Sequence, residues 1–283
     1  GETNDDGLWI PKEYDGSYGT NGFFLEFQQT GTSQNSSGIG ADTSGNDNHY
    51  AVNALGANSP AIDTPTNNYC TLNVLYKATT GSTSQPTISN GMISVERIAD
   101  SSTQGTFGVA NGKWYFEVRY NSGQVDGYPQ IGYSKAGGVN NGQMVGFHTP
   151  SGSNYRGKVA GNVISNAFSG GITSNDILGF YMDVDNGNLK VYKNGSDFMG
   201  SGASSGLDFS SASFSPDTGF FHVHYNTNAN SSHSEDFNFG GAISFTVSSS
   251  ESDANGHGKF EYSPTIGGVN YYALNSKNLA EFG

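Results

Sequence analysis

The stretch "ILGFYMDVDNGNLKVYKNG" (Ile177–Gly195) decides the fold. Leu178, Phe180, Met182 and Val184 recur at every second position. Side chains of a strand alternate between its two faces, so these four form one apolar face of an extended segment. "DNGN" (Asp185–Asn188) follows, and Asn-Gly tolerates the positive φ of a tight hairpin turn. Leu189 and Val191 then return to the apolar face, while Asp183, Lys190 and Tyr192 are expected on a solvent face. A second turn, "KNGSDF", closes the unit.

The same alternation spreads outward. In "GKWYFEVRY" (Gly112–Tyr120), Trp114, Phe116, Val118 and Tyr120 point one way, and Lys113, Tyr115, Glu117 and Arg119 the other. "GFFHVHY" (Gly219–Tyr225) places Phe221, Val223 and Tyr225 inward and His222 and His224 outward. "PQIGYS", "MVGFH" and "EDFNFG" are shorter strands of the same kind. No run shows three turns of helical periodicity, so the chain reads as all-β.

Composition agrees. The 283 residues suffice for one large β domain or two small ones, and 41 glycines among many Asn, Ser and Thr supply turns between short strands. Aromatic residues make up 13%, which a disordered chain would lack. A net charge of −13 repels a phosphate backbone, and no basic stripe offsets it, so nucleic acid is not an expected partner. No apolar run approaches the length of a membrane span, and the opening "GETNDDGLWIPKEYDG" lacks a basic-then-apolar signal pattern. Cys70 is the single cysteine, which leaves stability to packing.

Residues 1–18 read as an N-terminal tether. Residues 19–283 read as one sandwich with a core over about 105–240, on which flanking segments 19–104 and 241–283 pack. The N-terminal flank, opening on "NGFFLEFQQ", is a loop-rich elaboration.

"NGKWYFEVRYNSG", "QIGYSKAGG", "NDILGFYMDVDNGNLKVYKNGSDF" and "TGFFHVHYN" occur in the order seen in SPRY (B30.2-like) domains, which this part of the chain resembles. That resemblance implies a bent antiparallel β-sandwich, a concanavalin A-like jelly roll of the SPRY type. The flanks "YDGSYGTNGFFLEFQ", "GADTSGNDNHYAVNAL", "DTPTNNYCTLNVL" and "GHGKFEYSPTIGGVNYYALNSKNLAEFG" resemble segments around SPRY-like modules in virion proteins of tailed bacteriophages, notably tail fibres. The loop at Asp42 also resembles one of laminin-G-like sandwiches. The phage resemblance implies a protein made in the host cytoplasm and carried on the virion, at the tail or outer surface. It implies a structural or adhesion role, recognition of a host surface glycan or protein, contact with other virion proteins, and a homo-oligomer, a trimer by analogy with fibres. Neither resemblance brings a catalytic set.

Four constellations bear on chemistry. Asp183 and Asp185 share a strand face, as paired acids must, and concanavalin-like glycoside hydrolases carry E-x-D-x-x-E there. A retaining pair needs carboxyls about 5–5.5 Å apart. The third acid of that pattern falls on Asn188, so the pair reads as hairpin charges and the chain as a non-enzyme. A polysaccharide-degrading hydrolase and a purely structural virion component are the alternatives. His222-x-His224 puts two imidazoles on one strand face, a metal-chelating arrangement if they are not simply surface residues. Asp42, Asn46, Asp47 and Asn48 form an oxygen-rich loop that suits either a turn or calcium, the one cofactor candidate. Finally, the SPRY resemblance points to loops at one edge of the sandwich for ligand binding. Here these are "NSGQVDGYPQ" and "HTPSGSNYRGK", in which Asp126, Tyr128, Tyr155 and Arg156 combine aromatic rings with hydrogen-bonding groups.

Overall fold

The computed structural model describes residues 1–55, 61–76, 86–97, 101–122, 129–135, 144–148, 155–211, 219–225 and 233–283. They fall into two compact units, Gly1–Pro60 and Ala61–Gly283.

The first unit has little regular structure. Two short strands, β1 (Glu2–Thr3) and β2 (Trp9–Ile10), pair near its start. Its centre is the loop at Asp42, whose carboxylate accepts from the amides of Phe24, Ser44 and Asn48 and from the Ser44 hydroxyl at 2.8–2.9 Å.

The second unit is an antiparallel β-sandwich. Its strands are β3 (Thr87–Ser89), β4 (Ser94–Arg97), β5 (Ser102–Val109), β6 (Lys113–Ser122), β7 (Pro129–Lys135), β8 (Met144–His148), β9 (Arg156–Val159), β10 (Asn162–Ile164), β11 (Ile177–Asp183), β12 (Asn188–Lys193), β13 (Ser196–Asp197), β14 (Leu207–Asp208), β15 (Gly219–Tyr225), β16 (His233–Asn238), β17 (Thr265–Ile266), β18 (Val269–Asn270) and β19 (Tyr272–Ala273). One sheet has six strands in the order β10-β9-β8-β7-β15-β5. The other has nine, ordered β13-β12-β11-β6-β16-β4-β3, with β14 beside β12 and β19 beside β6. Only the β19–β6 pairing is parallel among the described strand pairs. A short helix, α1 (Ser276–Phe282), ends the unit, and the Asn275 side chain caps it by accepting from the Asn278 amide.

The hairpin of the opening stretch forms β11 and β12, paired from Leu178↔Lys193 to Asp183↔Asn188. Gly187 sits in its turn at φ 65°, where a Cβ would come 2.4 Å from the Ser210 Cα. β11 lies against β6 in register Phe180↔Phe116, so their apolar faces form one surface. Trp114, Phe116, Val118, Leu178, Phe180, Met182, Leu189 and Val191 are fully buried between the sheets. From the six-stranded sheet Ile131, Tyr133, Val145, Phe147 and Phe221 complete that core. Phe116 stacks on Phe180 at 4.7 Å and meets Phe221 edge-on at 4.7 Å, so aromatic contact joins the sheets.

The other face of the nine-stranded sheet departs from the sequence expectation. Residues between Gly240 and Gly283 fold back over it, so it has no solvent layer at the hairpin. Tyr115, Tyr181, Phe260, Tyr271 and Ala273 make a second buried cluster. Asp183 is buried rather than solvated, and Lys190 and Tyr192 are half-buried.

Candidate functional site

The two hairpin acids have structural partners. Lys113 Nζ lies 2.7 Å from Asp183 and 3.5 Å from Asp185. Asp183 also accepts from the amide and side chain of Asn186, and Asp185 accepts from the Gly112 amide at 2.7 Å. Burial raises the Asp183 carboxyl, but the Asn186 and Lys113 contacts outweigh it and hold it below the ordinary range. This pattern pins a turn.

Asn46 and Asn48 act as donors in the Asp42 loop. Each amide nitrogen reaches two carbonyls, Gly19 and Gly22 for Asn46, Thr20 and Gly22 for Asn48. Asp42 accepts through both oxygens, and its own amide donates to His49 Nδ1 at 3.0 Å. Asp47 is exposed, with His49 Nε2 at 3.6 Å. The loop uses its oxygens on its own backbone. Among the described residues no group of three or more His, Cys, Asp or Glu is arranged to hold a metal.

Of the expected ligand residues, Asp126 and Tyr128 lie outside the described residues. Tyr155 is half-buried; its hydroxyl accepts from the Ile172 amide at 3.1 Å, and its ring packs on Phe147 and Phe198. Arg156 opens β9 and stands beside His148 of β8.

The register of the six-stranded sheet then builds a site that no single stretch announces. His148 pairs with Gln130, Gln130 with position 224, and position 224 with Ser102. One step along, Lys158 pairs with Gly146, Gly146 with Gly132, Gly132 with position 222, and position 222 with Gln104. Strand alternation puts all of these on the face away from the core. A polar outer face is ordinary when wet, but here Gln130 is 1%, Ser102 2%, Lys158 5%, Gln104 8% and His148 8% exposed. Buried polar atoms are normally hydrogen-bonded. Among the described residues, Ser102 Oγ, Gln104 Oε1 and Gln130 Nε2 have no hydrogen-bond partner. Burial pushes the Lys158 ammonium below its ordinary value. His222 and His224 fall at the centre of these two rows by backbone position.

This face also differs in charge from the rest of the chain. None of β5, β7, β8, β9, β10 and β15 contains an Asp or Glu, although the chain carries 25 acids against 12 bases. That absence was visible in the sequence, but it acquires meaning only once these strands are known to form one sheet. An open recess of about 620 Å³ lies at the β10 edge, lined by Asn162, Ile164, Ser201, Ser204, Ser205 and Asp208 among others.

Sequence reading also missed Glu117. It is fully buried on the outer face of the nine-stranded sheet and accepts from the amides of Glu261 and Tyr262, the Tyr115 hydroxyl and the Asn238 side chain at 2.8–3.1 Å. Burial pushes its carboxyl up to about 7, and the four donors oppose that rise. The group anchors the C-terminal segment onto the sheet.

No protein-family model matches the chain. No curated protein matches it. Among solved structures, the SPRY domain of human HERC1 is similar over 54% of this chain and 91% of that one, at 14% identity and a TM-score of 0.37. The antiparallel all-β sandwich rests on the pairing described above.

Proposed function

We propose that this protein is a non-catalytic virion component of a tailed bacteriophage that recognises a glycan or protein on the host surface, as a tail-fibre or related receptor-binding module. The phage-like flanks of the sequence support the setting. The observation that carries the recognition role is the outer face of the six-stranded sheet, where Ser102, Gln104 and Gln130 hold buried hydrogen-bonding atoms that have no partner among the described residues. Such unspent groups suit a ligand read by hydrogen bonds. Engagement of Asp183 and Asp185 with Lys113 supports the non-catalytic reading over a polysaccharide hydrolase. Copy number on a particle would multiply a modest affinity.

A structural role in the virion is the second reading, and the first unit favours it. Trp9 (70%), Phe27 (61%), Phe23 (46%) and Phe24 (44%) are exposed there, and Phe27 is held at φ 55°, an uncommon conformation for a bulky residue. Exposed aromatics in one short unit suit contact with other virion proteins or other copies of this chain.

The test is adsorption of purified, labelled protein to host cells, with and without enzymatic stripping of surface polysaccharide. Saturable binding abolished by stripping is the expected result. Absence of binding even on multivalent beads would favour the structural role, and shortening of the polysaccharide would overturn the non-enzyme reading.

A further inference from the structure

We infer that a recess beside the β11–β12 turn is a sugar site that takes one neutral pyranose ring. The site lies apart from the sheet face described above, and the inference rests on the host-surface reading for its setting. Separate segments build the recess: Lys113 at the start of β6, Asp185 in the turn, Asn270 of β18, Tyr272 of β19 and Phe282 of α1. Its volume is about 350 Å³. That is near the lower end of ligand pockets, about 300–1,000 Å³, and suits one ring rather than a chain buried along its length. One part of the lining is apolar. Tyr272 and Phe282 stack with ring centroids 4.0 Å apart and planes 21° from parallel, and Val269, 40% exposed, adds to it. Each ring braces the other, so the platform is set before a ligand arrives. A pyranose presents C–H groups on a face and hydroxyls around its edge. Aromatic rings with polar neighbours match that division.

The polar lining keeps hydrogen-bonding capacity of both kinds. Asp185 Oδ1 accepts from the Gly112 amide at 2.7 Å. Its Oδ2 lies 3.5 Å from Lys113 Nζ, an ammonium held closer to Asp183 at 2.7 Å, and so stays open to a further donor. Asn270 Oδ1 accepts from Thr265 Oγ1 at 2.9 Å. Among the described residues, Asn270 Nδ2 and the Tyr272 hydroxyl have no hydrogen-bond partner. A sugar hydroxyl both donates and accepts. An acceptor at Asp185, a donor at Asn270 and a hydroxyl at Tyr272 that does both can therefore read neighbouring hydroxyls. Lys113 and Asp185 are the charged groups of the lining and offset one another, and Asp183 engages the same ammonium. An anion gains no net attraction there, in a chain of net charge −13, which makes the ligand a neutral one.

The experiment titrates the full chain with methyl β-D-glucopyranoside, methyl β-D-galactopyranoside and N-acetylglucosamine, with glucuronate and cyclohexanol as controls. Amide shifts and saturation transfer to the ligand are followed by NMR. At least one neutral sugar is expected to bind with a Kd on the order of millimolar, as a ligand of that size does. It should shift the Asn270 and Tyr272 amides and receive most saturation on one C–H face. Tyr272→Phe and Asn270→Ala should each weaken binding by about threefold to tenfold while leaving Tm unchanged, which separates a lost contact from a lost fold. Phe282→Leu keeps an apolar side chain but removes a ring, and should weaken binding by a similar factor. Binding by none of the three sugars, amide shifts confined to other parts of the chain, or unchanged affinity in all three variants would overturn the proposal. So would glucuronate or cyclohexanol binding as tightly as the best sugar. The same variants are assayed for host-cell adsorption. Retained adsorption by variants that no longer bind sugar overturns this recess as the receptor contact and leaves the host-surface reading intact, whereas absent adsorption by the unaltered protein rejects that reading.

Discussion

Glu117 offers the sharpest test of how the C-terminal segment is held. Its carboxyl rises on folding from 4.5 to about 7, with burial as the largest cause. A raised carboxyl pKa means that the folded state binds the proton more tightly than the unfolded one. The resulting stabilisation is complete below about 4.5 and is lost as pH climbs through about 7. At 1.36 kcal/mol per pH unit the shift corresponds to about 3 kcal/mol, an order-of-magnitude figure. Glu117→Gln removes the titration while keeping the shape. It also turns an amide NH2 towards some of the four donors, at about 1–3 kcal/mol for each buried donor left unmet. The deficit of E117Q relative to the unaltered protein should therefore be larger at pH 4 than at pH 8, by about 3 kcal/mol. Urea unfolding at half-unit pH steps reads this directly. Hydrogen exchange at the Glu261 and Tyr262 amides adds a local measure, since both donate to Glu117. A deficit that does not vary with pH would refute the reasoning, and would mean that the four donors offset burial and leave the carboxyl at its unfolded pKa.

Other perturbations follow from the same structure. Phe116→Ala empties the contact between the sheets and should lower stability by about 3–5 kcal/mol in denaturant titration. Gly187→Ala puts a Cβ against Ser210 at a positive φ, and a loss of about 1–3 kcal/mol should appear as a lower Tm. Desolvation raises the Asp42 carboxyl, but donors from Phe24, Ser44 and Asn48 prevail and keep it well below the ordinary range. Its contribution is thus present above about pH 4 and lost on further acidification, so protease cleavage within the loop should rise below that pH in the unaltered protein and already at pH 7 in Asp42→Ala. Both Asp42 oxygens are already accepting, so EDTA should leave Tm unchanged; a fall in Tm would reveal a bound cation.

Much of the sandwich was readable because its core strands alternate strictly. Phe116 and Val118, or Phe180 and Met182, announce one face by spacing alone, and all four are buried. The opposite face was not readable, because Tyr115, Glu117 and Tyr181 look amphipathic and nothing local says that a segment some 80–150 residues later returns to cover them. The candidate site failed to show for a related reason. Ser102, Gln104, Gln130, His148 and Lys158 come from four strands, and only register brings them together. The H-x-H tripeptide at 222–224 stands out in the sequence, but its neighbours across the sheet are scattered along the chain.

The parallel pairing of β19 with β6 bears on how the chain is made. β16 runs beside β6 only as far as Asn238↔Glu117, and β19 takes the next places, Tyr272↔Trp114 and Ala273↔Tyr115. A stretch from the middle of the chain thus waits for one some 160 residues further on. During synthesis the backbone edge at Trp114 and Tyr115 stays unpaired until residue 273 has emerged from the ribosome, and unpaired edges invite association between nascent chains. Polysomes, where many such chains sit close together, are the place where that hazard is greatest, and a protein shortened before Tyr272 would keep it permanently.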